Sequence, residues 1–248
     1  DNAGTDNSKV AYITQTSFTH HQGRVYIFNH DDRDTYKADS DTPIINNLYS
    51  TASGFKALTL LNASNWNEKT KIGFYDYSKA SLNLKKWLIQ NWDGVDYIDA
   101  LKYYKFNAVC ECCDAPIKSI YQWVREVDII EDEKILRKKF KQTVEEFGGK
   151  KAWLSFWNKF RNLDIKFIQA DVLGNFSSLT DHMEKNKGNN LLWLSNIFFS
   201  EPVIRNYRPN FVEEKYSLLV KELKAKSLDI KILGSYPLTE EIYNGNTQ

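Results

Sequence analysis

The stretch Lys71-Ile-Gly-Phe-Tyr-Asp-Tyr-Ser78, continued by Lys79-Ala-Ser-Leu-Asn-Leu-Lys-Lys-Trp87, decides how the chain is read. Ile72, Phe74 and Tyr75 are strand formers, and Asp76 falls where a short buried strand should end. Ser78 is a suitable N-cap for the helix that follows. Ala80, Leu84, Trp87, Leu88 and Asn91 lie on one stripe of that helix, polar only at its end. A strand that ends in an acid and turns into an amphipathic helix is a unit of nucleotide-binding α/β sheets, where the acid holds ribose hydroxyls.

The same rhythm extends outward. Pro43 to Ser50 reads as a strand, Thr51-Ala-Ser-Gly54 as a turn of small residues, and Phe55 to Asn62 as a helix. Residues 43 to 92 thus alternate β-α-β-α, which favours a parallel sheet with right-handed crossovers. Residues 95 to 162 read as a helical insertion. Tyr97, Ile98, Leu101 and Tyr104 share one face, and Ile135, Leu136, Phe140, Val144 and Phe147 another, stopped by Gly148-Gly149. Trp153, Phe156, Trp157 and Phe160 recur at helical spacing. That stripe is expected in a core rather than as a base-stacking platform. The α/β pattern returns with strands at Ile165 to Asp171, Asn190 to Asn196 and Leu228 to Leu233. Helices are expected around Phe176, Leu179 and Met183, and around Val212, Tyr216, Leu219 and Leu223. Pro202 is expected to open a helical turn, and the tail from Thr239 reads as polar. Ahead of all this, Val10 to Thr14 and Arg24 to Phe28 suggest a hairpin. The expected architecture is a Rossmann-like α/β fold, with a mostly parallel sheet and helices on both faces. Residues 1–42 form an N-terminal β extension, and residues 43–248 a domain carrying the insertion at about 95–162.

The charge balance argues against duplex nucleic acid as a partner, while leaving room for a local basic patch. Basic residues number 33 and acidic residues 32, so the net charge of +1 gives no electrostatic footprint for nucleic acid. The run Lys134 to Lys151 mixes both signs, as a solvated helix face does. No apolar run reaches membrane-spanning length, so no membrane partner is expected. Cys110, Cys112 and Cys113 form one cluster with no second cluster to pair with. They read as reduced thiols rather than a disulfide framework or a zinc site, and a cytoplasmic location is the default expectation. The chain starts at Asp1 without an apolar leader, which fits either a processed terminus or a piece of a longer chain. His30-Asp31-Asp32 has the His-x-Asp spacing of non-haem iron sites. The only later histidine is His182, in α/β surroundings, so no metal is expected.

Ligands of open parallel sheets bind beyond the carboxyl ends of the strands. Four expected strand ends here carry suitable groups: Thr51, Ala52, Ser53 and Gly54; Asp76 and Tyr77; Asp171 and Val172; Ser195 and Asn196. The small residues before Gly54 would let a ligand approach the backbone, although they also suit a plain βα turn. Asp76 could accept both ribose hydroxyls or simply cap its helix. Asp171 could accept from an adenine amino group, and Ser195-Asn196 could face a substrate. A small-molecule or nucleoside-type ligand is expected.

This order of strand-end features resembles the class I S-adenosylmethionine-dependent methyltransferase superfamily. Its pattern is a glycine-rich turn after the first strand, acids ending the second and third, and a polar end to the fourth. Tyr49 to Gly54, Asp76, Ala170-Asp171 and Leu194 to Asn196 occupy those positions. The resemblance covers residues 43 to 94 and 163 to 235. It implies S-adenosylmethionine as cofactor and methyl transfer as the reaction, with no catalytic base assigned. Gly54 is the lone glycine of its turn and no acid precedes it, whereas the family has two or three glycines and an acid. A methyltransferase-like domain that has lost catalysis and serves as a binding or assembly module therefore stands as the alternative. A sugar-nucleotide transferase is a third reading.

Overall fold

The computed structural model describes residues 27–28, 36–107, 109–110, 115–116, 129–198, 208–234 and 239–242. The elements in chain order begin with β1 (Asn47–Thr51), α1 (Lys56–Asn62), β2 (Lys71–Asp76), α2 (Lys79–Asn91) and α3 (Tyr97–Asn107). Two short strands, β3 (Val109–Cys110) and β4 (Ala115–Pro116), precede α4 (Ile129–Glu146) and α5 (Lys150–Phe160). The chain continues with β5 (Asp164–Gln169), α6 (Ser177–Glu184), β6 (Asn189–Trp193), α7 (Pro209–Ala225), β7 (Asp229–Leu233) and β8 (Thr239–Ile242).

Among the described residues, six strands form the main sheet in the order β5-β2-β1-β6-β7-β8. The first five are parallel, and β8 runs antiparallel to β7 at the edge. Counted along the chain this is 3-2-1-4-5-6, the order of dinucleotide-binding sheets, and strand order reverses between β1 and β6. The fold is Rossmann-like α/β.

Strand alternation divides the core into two layers. Leu48, Ile72, Phe74, Leu191 and Trp193 face one side and pack with Leu58, Leu84, Leu101, Phe140, Trp153 and Phe160 from α1 to α5. Tyr49, Tyr75, Leu192, Ile230 and Ile232 face the other and pack with Leu179, Met183, Leu219 and Leu223 from α6 and α7. Right-handed crossovers require this split. The chain moves one way across the sheet from β1 to β5 and the other way from β5 to β7, so its helices change face. A buried amide pair joins the two halves at the reversal, with Asn47 Nδ2 donating to Asn190 Oδ1 at 2.9 Å.

The aromatic stripe of α5 is core. Trp153 and Trp157 are buried, and their indole N–H groups donate to Gly94 O at 2.8 Å and Trp92 O at 3.1 Å. Ser78 caps α2, accepting from Ser81 N at 3.2 Å. Gly148 and Gly149 end α4 with φ of 92° and 94°.

The polar tail from Thr239 supplies the edge strand β8 over Thr239–Ile242. One expectation needs correction. Ile27 and Phe28 form a bend rather than the end of a strand, and both are buried. The Tyr97 hydroxyl donates to Ile27 O at 2.8 Å, and the Phe28 ring meets those of Phe55 and Tyr97. The hairpin at Val10 to Thr14 and Arg24, the His30-Asp31-Asp32 motif, Cys112, Cys113 and Pro202 lie outside the described residues. No described helix is long and apolar enough to cross a membrane.

Candidate functional site

The carboxyl ends of β5, β2, β1 and β6 are consecutive neighbours, so the four groups picked from the sequence share one rim. At normal strand spacing it is about 15 Å across. β1 stays paired with β2 to Thr51↔Tyr75, but with β6 only to Tyr49↔Leu192. The β1 and β6 chains therefore part company at the reversal point, where such sheets open their crevice.

Asp76 is the centre of the rim. Its backbone carbonyl accepts from Ala170 N at 3.0 Å, which holds the end of β5. Its half-buried carboxyl accepts from Ser78 N at 2.9 Å, and the amides of Ala52 and Tyr77 also face it. Burial pushes this carboxyl up to about 7. The backbone amides oppose that shift and the nearby charge of Asp171 adds to it. Asp76 is thus poised between neutral and ionised near neutral pH.

The turn after β1 is held by its own residues and its neighbours. Thr51 and Ala52 are buried and Ser53 is half-buried, its Oγ donating to Thr51 Oγ1 at 3.3 Å. Gly54 takes φ 55°, a conformation that favours glycine, and leads into Phe55 at the N-cap of α1. No side chain caps α1, because Phe55 at that position has no acceptor.

Asp171 is on the same rim but turned back on its own loop. Its carboxyl accepts from Leu173 N at 2.9 Å and from the Gly174 amide. A Cβ on Gly174 would lie 2.7 Å from Asp171 Oδ2. Burial raises its pKa, while Lys215 of α7 works against the shift. Val172 is 2% exposed and belongs to the core under α6 and α7, so it does not reach the rim. Tyr77 is half-buried, and its carbonyl accepts from Gln169 Nε2 at 3.4 Å. Ser195 is buried with φ 55°, uncommon for a residue with a side chain, and Asn196 is half-buried beside it. Leu194 N donates to Leu233 O at 2.8 Å, anchoring that turn to β7.

Three neighbours of the rim escape a reading by residue type. Lys85 of α2 is 5% exposed, and its ammonium donates to Gly54 O, between the rings of Phe55 and Phe74. Burial brings Lys85 down to about 7, with the charge of Asp76 opposing the shift. Its signal in the sequence was its place among Ser81, Leu82, Leu84, Leu88 and Ile89, all buried on α2. Tyr75 donates from its hydroxyl to Trp193 O at 2.6 Å, where the β1–β6 ladder ends. Lys56, at the start of α1, is buried with its ammonium 4.6 Å from the Trp193 ring centre.

His182 lies at the opposite end of the sheet. It meets the edge of the Tyr49 ring, with centroids 6.0 Å apart, and its Nε2 is 3.3 Å from Asn186 Nδ2. It shares a void of about 20 Å³ with Lys71, Gly73, Asp164 and Lys166, and burial lowers its pKa. A larger cleft of about 210 Å³ follows the flank of α1 between Tyr36, Thr59, Asn62 and Glu146. Among the described residues, no three His, Cys, Asp or Glu side chains are grouped to hold a metal ion.

The rim offers a hydrogen-bond acceptor at Asp76 that can hold or release a proton near neutral pH. No protein-family model matches the chain, and no curated protein sequence matches it.

Proposed function

We propose that this rim binds the nucleoside part of S-adenosylmethionine and that the protein is a methyltransferase. The observation that carries the reading is the carboxyl of Asp76. It ends the second strand of a 3-2-1-4-5-6 sheet and faces the Ala52 amide of the turn after the first strand. Once ionised, that carboxylate accepts from the Ser78 amide and faces those of Ala52 and Tyr77, which leaves it acceptor capacity for a ribose hydroxyl. The turn at Thr51 to Gly54 brings backbone close to the ligand. Asp171 is the candidate partner for the adenine amino group, and Ser195-Asn196 for the methyl acceptor.

The acceptor set suits such a cofactor: half-buried carboxyls for hydroxyl and amino groups, and small residues where backbone approaches. When bound, the cofactor supplies a methyl group already activated on a sulfonium. The chain's own task is then to align the acceptor and exclude water.

Calorimetric titration with S-adenosylhomocysteine tests the reading. Micromolar binding by the wild type, lost in Asp76→Ala, is the expected result. Absence of binding by the folded wild type would overturn it. A second reading, a methyltransferase-like binding or assembly module without catalysis, is favoured by one observation. The Asp171 carboxyl already accepts from Leu173 and Gly174. Binding of a sugar nucleotide in place of S-adenosylhomocysteine would instead assign a transferase of that class.

A further inference from the structure

A lysine buried under a ligand-binding turn requires a reason. Removing an ammonium from water is costly, and a methionine would fill the same space between Phe55 and Phe74 without that cost. What Lys85 supplies and methionine would not is a donor for the carbonyl of Gly54. That carbonyl is turned into the protein, toward α2. Gly54 is also the one residue of the turn in the left-handed region.

We propose that Lys85 is a positioning residue of the ligand site, holding the Thr51–Gly54 turn in its binding shape through the Gly54 carbonyl. This role rests on the nucleoside-binding reading above. The turn is then clamped from two sides, by Lys85 below Gly54 and by the Asp76 carboxyl facing the Ala52 amide. The clamp does for a turn with a single glycine what added glycines do elsewhere. It selects one backbone path and keeps its carbonyl away from the ligand face. Lys85 itself does not touch the ligand.

The clamp has a pH signature. Lys85 faces Asp76 of β2, and the aromatic walls of Phe55 and Phe74 carry no charge. Asp76 feels in turn the charge of Asp171 beyond β5, which feels that of Lys215 of α7, and the charge of Asp76 reaches the Tyr75 hydroxyl. Asp76 must lose a proton to present its full acceptor capacity to a ribose. Lys85 must keep one to make a charge-assisted bond to Gly54. With both groups near 7, affinity falls on the acid side as Asp76 gains its proton and on the alkaline side as Lys85 loses its own. Ligand affinity should therefore pass through a maximum near neutral pH.

The experiment is titration of S-adenosylhomocysteine between about pH 5.5 and about pH 9 with wild type, Lys85→Met and Lys85→Gln. The wild type is expected to show a bell-shaped affinity profile. Lys85→Met is expected to bind about tenfold more weakly at neutral pH and to lose the alkaline fall. Lys85→Gln keeps a donor without the charge, so it is expected to recover part of the affinity but not the fall. Lys85→Met with wild-type affinity and profile would overturn the proposal while leaving the nucleoside reading intact. If Lys85→Met does not fold, the wild-type profile decides, and a monotonic rise with pH would overturn the proposal. A wild type that binds at no pH would sink the nucleoside reading and this role with it.

Discussion

The hydroxyl of Tyr75 on β2 reaches past β1 and donates to the backbone carbonyl of Trp193 on β6 at 2.6 Å. The last β1–β6 pair is Tyr49↔Leu192, so this carbonyl lies just beyond the ladder on that side. Tyr75 thereby satisfies a buried acceptor where the two strands separate. Tyr75→Phe keeps the ring and removes the donor. It is expected to destabilise the protein by about 1–3 kcal/mol, read as a lower urea midpoint with an unchanged slope.

Acid and base at the rim give stability opposite slopes against pH. The folded-state pKa of Asp76 is raised from 3.8 to about 7, so its contribution is fully present below about pH 4 and lost as pH rises to 7. That of Lys85 is lowered from 10.5 to about 7. Its contribution is present above 10.5 and lost as pH falls to 7. Thermal melts across pH are expected to show Asp76→Asn flattening the fall between pH 4 and 7. Lys85→Met should flatten the rise above pH 7. A wild-type slope retained in both variants would contradict the assignment.

Gly73 is required by its neighbour. A Cβ there would meet Tyr49 Cδ1 at 2.4 Å, since the Tyr49 ring lies across β2 at that point. Gly73→Ala is expected to cost about 1–3 kcal/mol through overpacking. In Tyr49→Ala the added methyl has room, so the cost of Gly73→Ala should shrink. A double-mutant cycle measured by denaturant unfolding checks this coupling.

Arg137 ties α3 to α4. It donates to both oxygens of Asp96 at 2.9 Å and to Asp99 and Glu133 at 2.7 Å. The side chain is 38% exposed, so the network is weaker than its geometry suggests. Arg137→Ala is expected to cost about 1 kcal/mol at low salt, shrinking as ionic strength rises. A cost independent of salt would point to lost packing of the arginine stem instead.

Much of the scaffold was readable because β1, β2 and β6 are buried on both faces, β5 and β7 alternate, and amphipathic helices separate them. The strands around Leu48, Phe74, Ile168, Leu192 and Ile232 all fall where the apolar runs place them. β8 was hidden because Thr239-Glu-Glu-Ile242 is a short, charged edge strand, the kind that suppresses unwanted pairing and carries no apolar pattern.

At the rim, the identity and placement of Asp76 followed from its position at a strand end. The inward turn of Asp171 did not, because it depends on the amides of Leu173 and Gly174 rather than on residue type. Nor did Lys85. A lysine is ordinarily assigned to solvent, and its acceptor lies 31 residues earlier on another element. The partner of Tyr75 is 118 residues away, a separation that no local periodicity encodes.

The buried amide pair of Asn47 and Asn190 joins residues 143 apart, and it sits between the two strands that border the crevice. During synthesis, β1 and β2 can pair early, yet the bay beside β1 waits for β6 to emerge from the ribosome. Until then the nascent chain exposes an apolar strand edge. A truncated product ending before β6 would be prone to aggregate rather than merely inactive.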